Sequence, residues 1–224
     1  MADTTVIYYT SQREKPDFEE RIRRALQRLV VRFRLPLISV SQFPLDFGQN
    51  ICVGDVGTSP LNAFRQLQIG AMAAKTTYVC TAESDVLYPR EYFRMPHRDP
   101  QVFQTAMPLW VLFMGHRRAK LFVRKMRGDA GAMQVGRERL IARIDEVLAG
   151  MKEWGTGNDG MGFPSLVDQR AVIRRRCVLP HPIVSFKTDQ NMHSKTVFDR
   201  SSTTRVIPYW GDSHALIDRY AHGT

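Results

Sequence analysis

The order in which apolar periodicity changes along the first 85 residues most constrains what this chain can fold into. "TTVIYYTSQ" (4–12) is a β-branched and aromatic run that empties into small polar residues, which predicts a buried strand followed by a loop. Phe18, Ile22, Ala25, Leu26, Leu29 and Phe33 then recur at helical spacing. Glu19, Glu20, Arg23, Arg24 and Arg28 fall on the opposite face, and Asp17 after Pro16 supplies a start signal. "LPLISVSQ" (35–42) predicts a second strand, which must run parallel to the first because a helix connects them. Beyond a loop carrying Pro44, Gly48, Gly54 and Gly57, "SPLNAFRQLQIGAMAAK" (59–75) predicts a helix with Ser59 as N-cap and Pro60 in its first turn. That helix feeds directly into the strand "TTYVCTAESD". A β-α-β-α-β order implies an α/β sheet, which binds ligands at the carboxyl edge of its strands.

The third strand ends on Glu83 and Asp85 after the apolar run Thr77–Cys80. Burying a carboxylate costs several kcal/mol unless a positive partner compensates, so the alternatives are a surface turn, a salt bridge or a metal. If the strand continues through both, positions i and i+2 share a face and the carboxylates converge while Ser84 points away. Two hard oxygen ligands suit Mg²⁺ or Mn²⁺, which takes one or two carboxylates and fills its shell with phosphate oxygens and water.

Charge adds a second constraint. The formal net charge is +10, and 25 of the 32 basic residues are Arg, the side chain best shaped to grip phosphate. "HRRAKLFVRKMR" (116–127) gathers six Lys and Arg without an acid, the footprint of an acidic partner such as nucleic acid or nucleotide phosphate. Cys52, Cys80 and Cys177 are widely spaced in apolar surroundings and read as core residues of a reducing compartment. The N-terminus lacks a signal-peptide pattern, and "AMPLWVLFMG" is too short to span a bilayer. The expectation is a soluble, cytoplasmic protein with no membrane partner, in the host cytoplasm if viral.

The second half is less periodic. "QVFQTAMPLWVLFMG" and "AKLFVRKMR" read as strands, and Leu140, Ile141, Ile144, Val147 and Leu148 mark a helix. A glycine-rich loop, "WGTGNDGMGFPS", precedes an expected helix in "SLVDQRAVI", a strand in "HPIVSFKT" and a C-terminal helix after "IPYWGDSHALIDRY". Asp159 in that loop is a candidate catalytic carboxylate, since glycines let backbone approach a substrate closely. Trp154 and Trp210 are candidates to stack on a sugar or base, or are core aromatics.

The stretch "NAFRQLQIGAMAAKTTYVCTAESDVLYP" resembles the nucleotide-sugar-binding half of the GT-A glycosyltransferases, in which an Arg-bearing helix leads into a strand ending in a D-x-D motif. The likeness covers roughly the first hundred residues. It implies a GT-A-like (Rossmann-like) mixed sheet flanked by helices, with 1–100 as the donor half and 101–224 as the acceptor-binding and catalytic half of one domain. It implies base and ribose contacts at Thr10, Ser11 and Arg13, a basic contact at Arg65, and metal contacts at Asp85 and Glu83, where Glu83 departs from the commoner Asp. Family members often add a late His ligand, here His193, with Lys187 and Lys195 as phosphate partners. "LVDQRAVI" matches the family's acidic helix start, which makes Asp168 a candidate general base or sugar-positioning group, or a helix cap.

The resulting expectation is an Mn²⁺- or Mg²⁺-dependent glycosyltransferase using a nucleotide-diphosphate sugar. With Arg117, Arg118 and Lys120 in the basic stripe, the acceptor expected is a hydroxymethylated pyrimidine, above all hydroxymethylcytosine, in DNA of the kind bacteriophages modify. A protein or saccharide acceptor is the first alternative. A nucleotidyltransferase would carry a glycine-rich loop after the first strand, which "YYTSQREKPDF" lacks. A non-catalytic nucleic-acid-binding protein leaves Glu83, Asp85, His193 and Asp168 without a role.

Overall fold

A strand buried along its whole length needs neighbours on both edges and a layer on both faces. Thr4–Thr10 is such a strand in the computed structural model, which describes residues 3–96, 98–114, 120–125, 130–156, 165–188 and 198–223. In chain order the elements are β1 (Thr4–Thr10), α1 (Pro16–Phe33), β2 (Leu37–Ser41), β3 (Gln49–Cys52), α2 (Pro60–Ala73), β4 (Tyr78–Glu83), β5 (Val86–Leu87), β6 (Phe103–Phe113), β7 (Phe122–Lys125), β8 (Met133–Gly136), α3 (Arg137–Leu148), β9 (Arg174–Lys187), β10 (Phe198–Thr204) and α4 (Ser213–Ile217). A further two-stranded ribbon pairs Val206–Ile207 with Gly211–Asp212.

β1 lies between β2 and β4, parallel to both, as the helical crossovers require. β3 extends the parallel part beyond β2, inside a stretch expected to be loop. On the other side β8 joins β4 antiparallel, and the path continues through β6, β7 and β10, giving the order β10-β7-β6-β8-β4-β1-β2-β3 in one mixed sheet. β9 runs parallel to β6 with a register shift around Pro108, which has no N–H to donate. β5 pairs antiparallel with β9.

One face of the sheet is covered by α2 and α3, whose Leu61, Leu67, Leu140 and Ile144 pack on Ile7, Ile38, Val40 and Val79. The other face takes α1 through Leu26 and Val30 against Val6 and Tyr8. The start of α1 and the end of α4 close a third cluster, in which Phe18 and Ile22 meet Phe186, Leu216 and Ile217. Ser59 caps α2 as expected, accepting a hydrogen bond from the Asn62 N–H at 3.1 Å with Pro60 next. Gly70 sits where α2 presses on β1; a Cβ there would collide with the Ile7 methyl.

α1 starts at Pro16 with Asp17 in its first turn, as expected, and its N-cap residue is Lys15, whose carbonyl accepts from the Phe18 and Glu19 N–H groups. Three expectations are corrected. Glu19 is buried rather than solvated, because it turns under β1 to receive the Thr10 hydroxyl at 3.1 Å and Arg23 at 3.2 Å. "SLVDQRAVI" is a series of turns rather than a helix. Its apolar residues Leu166, Val167 and Val172 are not at helical spacing and plug the α2–α3 core individually. Of the cysteines only Cys80 is buried; Cys52 is exposed on edge strand β3, and Cys177 is half-buried. Among the described residues no helix is long and apolar enough to cross a membrane.

Replacing Gly70 by Ala improves helix propensity but forces the Ile7 methyl out of a packed core, and overpacking costs about 1–3 kcal/mol. Gly70→Ala is expected to lower the urea midpoint and Gly70→Val to lower it further; an unchanged midpoint in both would remove the close-approach argument.

Burial, opposed by the Thr10 hydroxyl and Arg23, pushes the Glu19 carboxyl up to about 7. The folded state therefore holds this proton more tightly than the unfolded chain, whose Glu titrates near its ordinary value of 4.5. Stability from this group is present below about pH 4.5 and is lost as pH rises to about 7, a change of about 3 kcal/mol. Glu19→Gln is expected to gain stability relative to wild type across that window; parallel pH–stability curves for the two proteins would refute it.

Candidate active site

The carboxyl ends of β1, β2 and β4 open into a cavity of about 720 Å³. Its walls come from both parts of the sheet: Tyr9, Thr10 and Ser11 from β1, Gln42 after β2, Glu83 to Asp85 after β4, and Lys125, Gly131 and Lys187 from the antiparallel side.

Glu83 is the last residue of β4 and lies beside Tyr9 in the parallel register. The Tyr9 hydroxyl donates to Glu83 Oε1 at 2.5 Å. The Glu83 N–H donates to the Tyr88 hydroxyl at 3.0 Å, which in turn donates to the Gly131 carbonyl. This chain draws Gly131 against the carboxylate so closely that a Cβ on Gly131 would overlap it. Ser84 and Asp85 form a turn, so the two carboxylates do not share a cavity by strand alternation as expected. Asp85 is placed instead by β9. Its carbonyl accepts from the Phe186 N–H at 2.8 Å, and its Oδ2 pairs with Lys187 Nζ at 3.3 Å in a largely buried ion pair.

The floor is built from α2. Asn62 is buried and bonds on every side: its Nδ2 donates to the Val56, Gly57 and Gly155 carbonyls at 2.8–3.0 Å, and its Oδ1 accepts from the Gly155 N–H at 2.7 Å. One turn on, Gln66 Nε2 donates to the Thr10 and Val40 carbonyls at the ends of β1 and β2. Gln66 thus caps strand ends whose ladder has run out, where an unpaired buried carbonyl would be costly, and Asn62, four residues before it, ties down the loops beside them. Glu14 also lines the cavity; it accepts from the Thr188 hydroxyl at 2.7 Å. Burial raises its affinity for a proton; the Thr188 bond opposes this, the Asp85 charge adds to it, and Lys187 opposes it.

Thr10, Ser11, Arg13, Glu83, Asp85 and Lys187 therefore come together on one cavity. Arg13 is held there by Asp55. Arg65 does not line it; its Nη1 donates to Gln68, which links α2 to Asp145 of α3. Asp168 is also outside the lining, in a turn where its Oδ1 accepts from the Arg170 N–H at 3.0 Å. Trp154 is half-buried next to Gly155, and Trp210 donates to the Pro182 carbonyl at 2.6 Å; neither lines the cavity. Lys120 lines a second, smaller cavity. Asp159, His193, Lys195, Arg117 and Arg118 lie outside the described residues. Tyr9, Glu14, Gln42, Asn62, Gln66, Lys125 and Gly131 are lining residues that were not singled out from the sequence. Only Asn62 and Gln66 left a signal there, as amides interrupting an otherwise apolar helix face.

Among the described residues no group of three or more His, Cys, Asp or Glu is gathered as for an all-protein metal cage. Two oxygen donors facing one solvent-filled cavity nevertheless fit a hard divalent ion, which keeps several positions for water and phosphate.

No protein-family model matches the chain, and no curated protein matches its sequence. Among solved structures it is similar to the inositol-1-phosphate CTP transferase from T. maritima, at 9% identity and a TM-score of 0.49 over 87% of this chain and 94% of that one. It is similar to GalNAc-T7, solved with UDP, GalNAc and Mn²⁺, at 10% identity and a TM-score of 0.49 over 87% of this chain and 45% of that one. It is also similar to the bifunctional IspDF from Campylobacter jejuni, at 9% identity and a TM-score of 0.46 over 80% of this chain and 50% of that one. The chain spans about half the length of the last two. Likeness at this distance concerns the layout of the chain and not its chemistry.

Proposed function

We propose that the cavity binds a nucleotide-diphosphate sugar and that the chain transfers the sugar to an acceptor hydroxyl. The observation that carries this is the convergence of Glu83, Asp85, Lys125 and Lys187 on one cavity at the carboxyl edge of parallel strands. That edge is where open α/β sheets take nucleotides, and about 720 Å³ is ample for one joined to a sugar. Thr10, Ser11 and Arg13 are suited to base and ribose, and Lys125 and Lys187 to the diphosphate. Asp85 and Glu83 would hold Mg²⁺ or Mn²⁺, which when bound supplies Lewis-acid stabilisation to the departing diphosphate.

In the transfer, the acceptor oxygen bonds to the anomeric carbon while the bond from that carbon to the diphosphate breaks. The nucleoside diphosphate leaves with the electron pair, and the acceptor's proton passes to a base. Asp168 and Asp159 are the sequence candidates for that base. Glu14 in the described lining is a further candidate, because burial raises its affinity for a proton. A hydroxymethylated pyrimidine in DNA as acceptor is supported by the net charge of +10 and the basic stripe alone.

The test is a panel of nucleotide sugars read by thermal shift with and without Mn²⁺, where binding at a hundredfold excess over Kd adds about 2.7 kcal/mol. Asp85→Asn removes the carboxylate paired with Lys187 and is expected to lower basal stability; the readout is therefore the ligand-induced shift, which should vanish. Gly131→Ala should displace the Glu83 carboxylate, reducing the shift as Glu83→Gln does while leaving the fold intact. Wild-type shifts in all three variants would overturn the donor site. Glu14→Gln should lower kcat about a hundredfold to ten-thousandfold with donor affinity kept; unchanged turnover would return the role to Asp159 or Asp168.

A further inference from the structure

Beside the main cavity lies a second one of about 320 Å³, and the two share Arg13 and Glu14 as a common wall. It is built by different elements: the start of α1, the end of β6, Thr188 after β9, and the C-terminal turns. Its floor is apolar, with Phe18 and Ile217 buried beneath and Met114 and Ala221 half-buried at the sides. Its rim is cationic: Arg13, Lys15 and Lys120 are exposed around it, and His222 lines it beside them. Among the described residues Glu14 is the one lining carboxylate; it stands in the shared wall, with the Thr188 hydroxyl bonded to it.

A small concave site with an apolar floor and a few convergent charges at the mouth selects ligands that are themselves divided. The floor removes apolar surface from water only for a ring or alkyl body, and the rim attracts an anion and repels a cation. We infer that this second cavity is an acceptor subsite for a group that joins a phosphate or carboxylate to a ring or alkyl body, and that it presents the acceptor hydroxyl to the donor cavity past Glu14. The inference rests on the transferase reading above. Two sources offer this chemistry, a free phosphorylated small molecule and a single nucleotide unit of a DNA strand, whose base is the flat body and whose phosphate is the anion.

The experiment is a fluorine NMR titration of the whole chain with 4-fluorophenyl phosphate, with and without saturating UDP and Mn²⁺. The probe is expected to bind whether or not UDP is present, and 4-fluorophenol and inorganic phosphate, which each supply half of the chemistry, to bind at least about tenfold more weakly. Lys120→Glu, a surface change that does not threaten the core, should weaken the probe about tenfold. Ala221→Trp should fill the cavity and abolish probe binding while leaving the UDP titration unchanged. Probe binding that survives Ala221→Trp, or that UDP displaces competitively, places the probe elsewhere and overturns the inference. An Ala221-sensitive probe site in a chain that binds neither UDP nor any member of the nucleotide-sugar panel with Mn²⁺ keeps the subsite and sinks the donor reading instead, so the two failures are distinguishable. Displacement of the probe by an oligonucleotide carrying hydroxymethylcytosine, weakening steeply with salt, identifies the strand as the source; no displacement identifies the small molecule.

Discussion

The site depends on how closely α2 lies against the ends of β1 and β2. Gly70 lets the helix approach until a methyl of Ile7 occupies the space a side chain would need. At that distance Gln66 reaches the Thr10 and Val40 carbonyls, and Asn62 reaches three carbonyls and an N–H across the loop. A longer separation would leave those carbonyls buried without partners, a penalty of about 1–3 kcal/mol each. The same approach sets the depth of the cavity, since the amides that bond these strand ends and loops also line it. Packing and the shape of the cavity are therefore set together, by three residues spaced four apart on a single helix.

The parallel part of the fold was legible because each of its elements carries a local signature. β1, α1, α2 and β4 show apolar periodicity together with caps or turn residues, and their order dictates parallel pairing. β3 was hidden because its residues are exposed or half-buried and carry no alternation; the strand is held by the Asn50 amide bonding Ser39 and Ser41. The first half of β9 was hidden for a similar reason. Arg174 to Arg176 read as a charged run, and only pairing with β6 makes them strand. The expected helix around Asp168 failed because the apolar count was right and the spacing was not.

The carboxylates of the site were legible as a chemical anomaly, a pair of acids where an apolar run ends. Their geometry was not, because Asp85 owes its position to residues more than a hundred places further on. The polar residues that only support the cavity were largely invisible. Tyr9 reads as one more strand aromatic, and nothing local marks Gly131 as the residue that leaves room for Glu83.

The Asp85–Lys187 pair closes a separation of 102 residues. Entropy opposes closing such a loop until other contacts have already shortened it, here the β6–β9 pairing. The parallel half, from β1 to β4, is complete in sequence well before β9 and can gather its own apolar surface as it emerges. The pairing of Asp85 cannot, since this acid has no fixed place until a late strand docks. Sequence order thus separates the two: the parallel scaffold is complete early in the chain, and the cavity beside Asp85 only once β9 is in place.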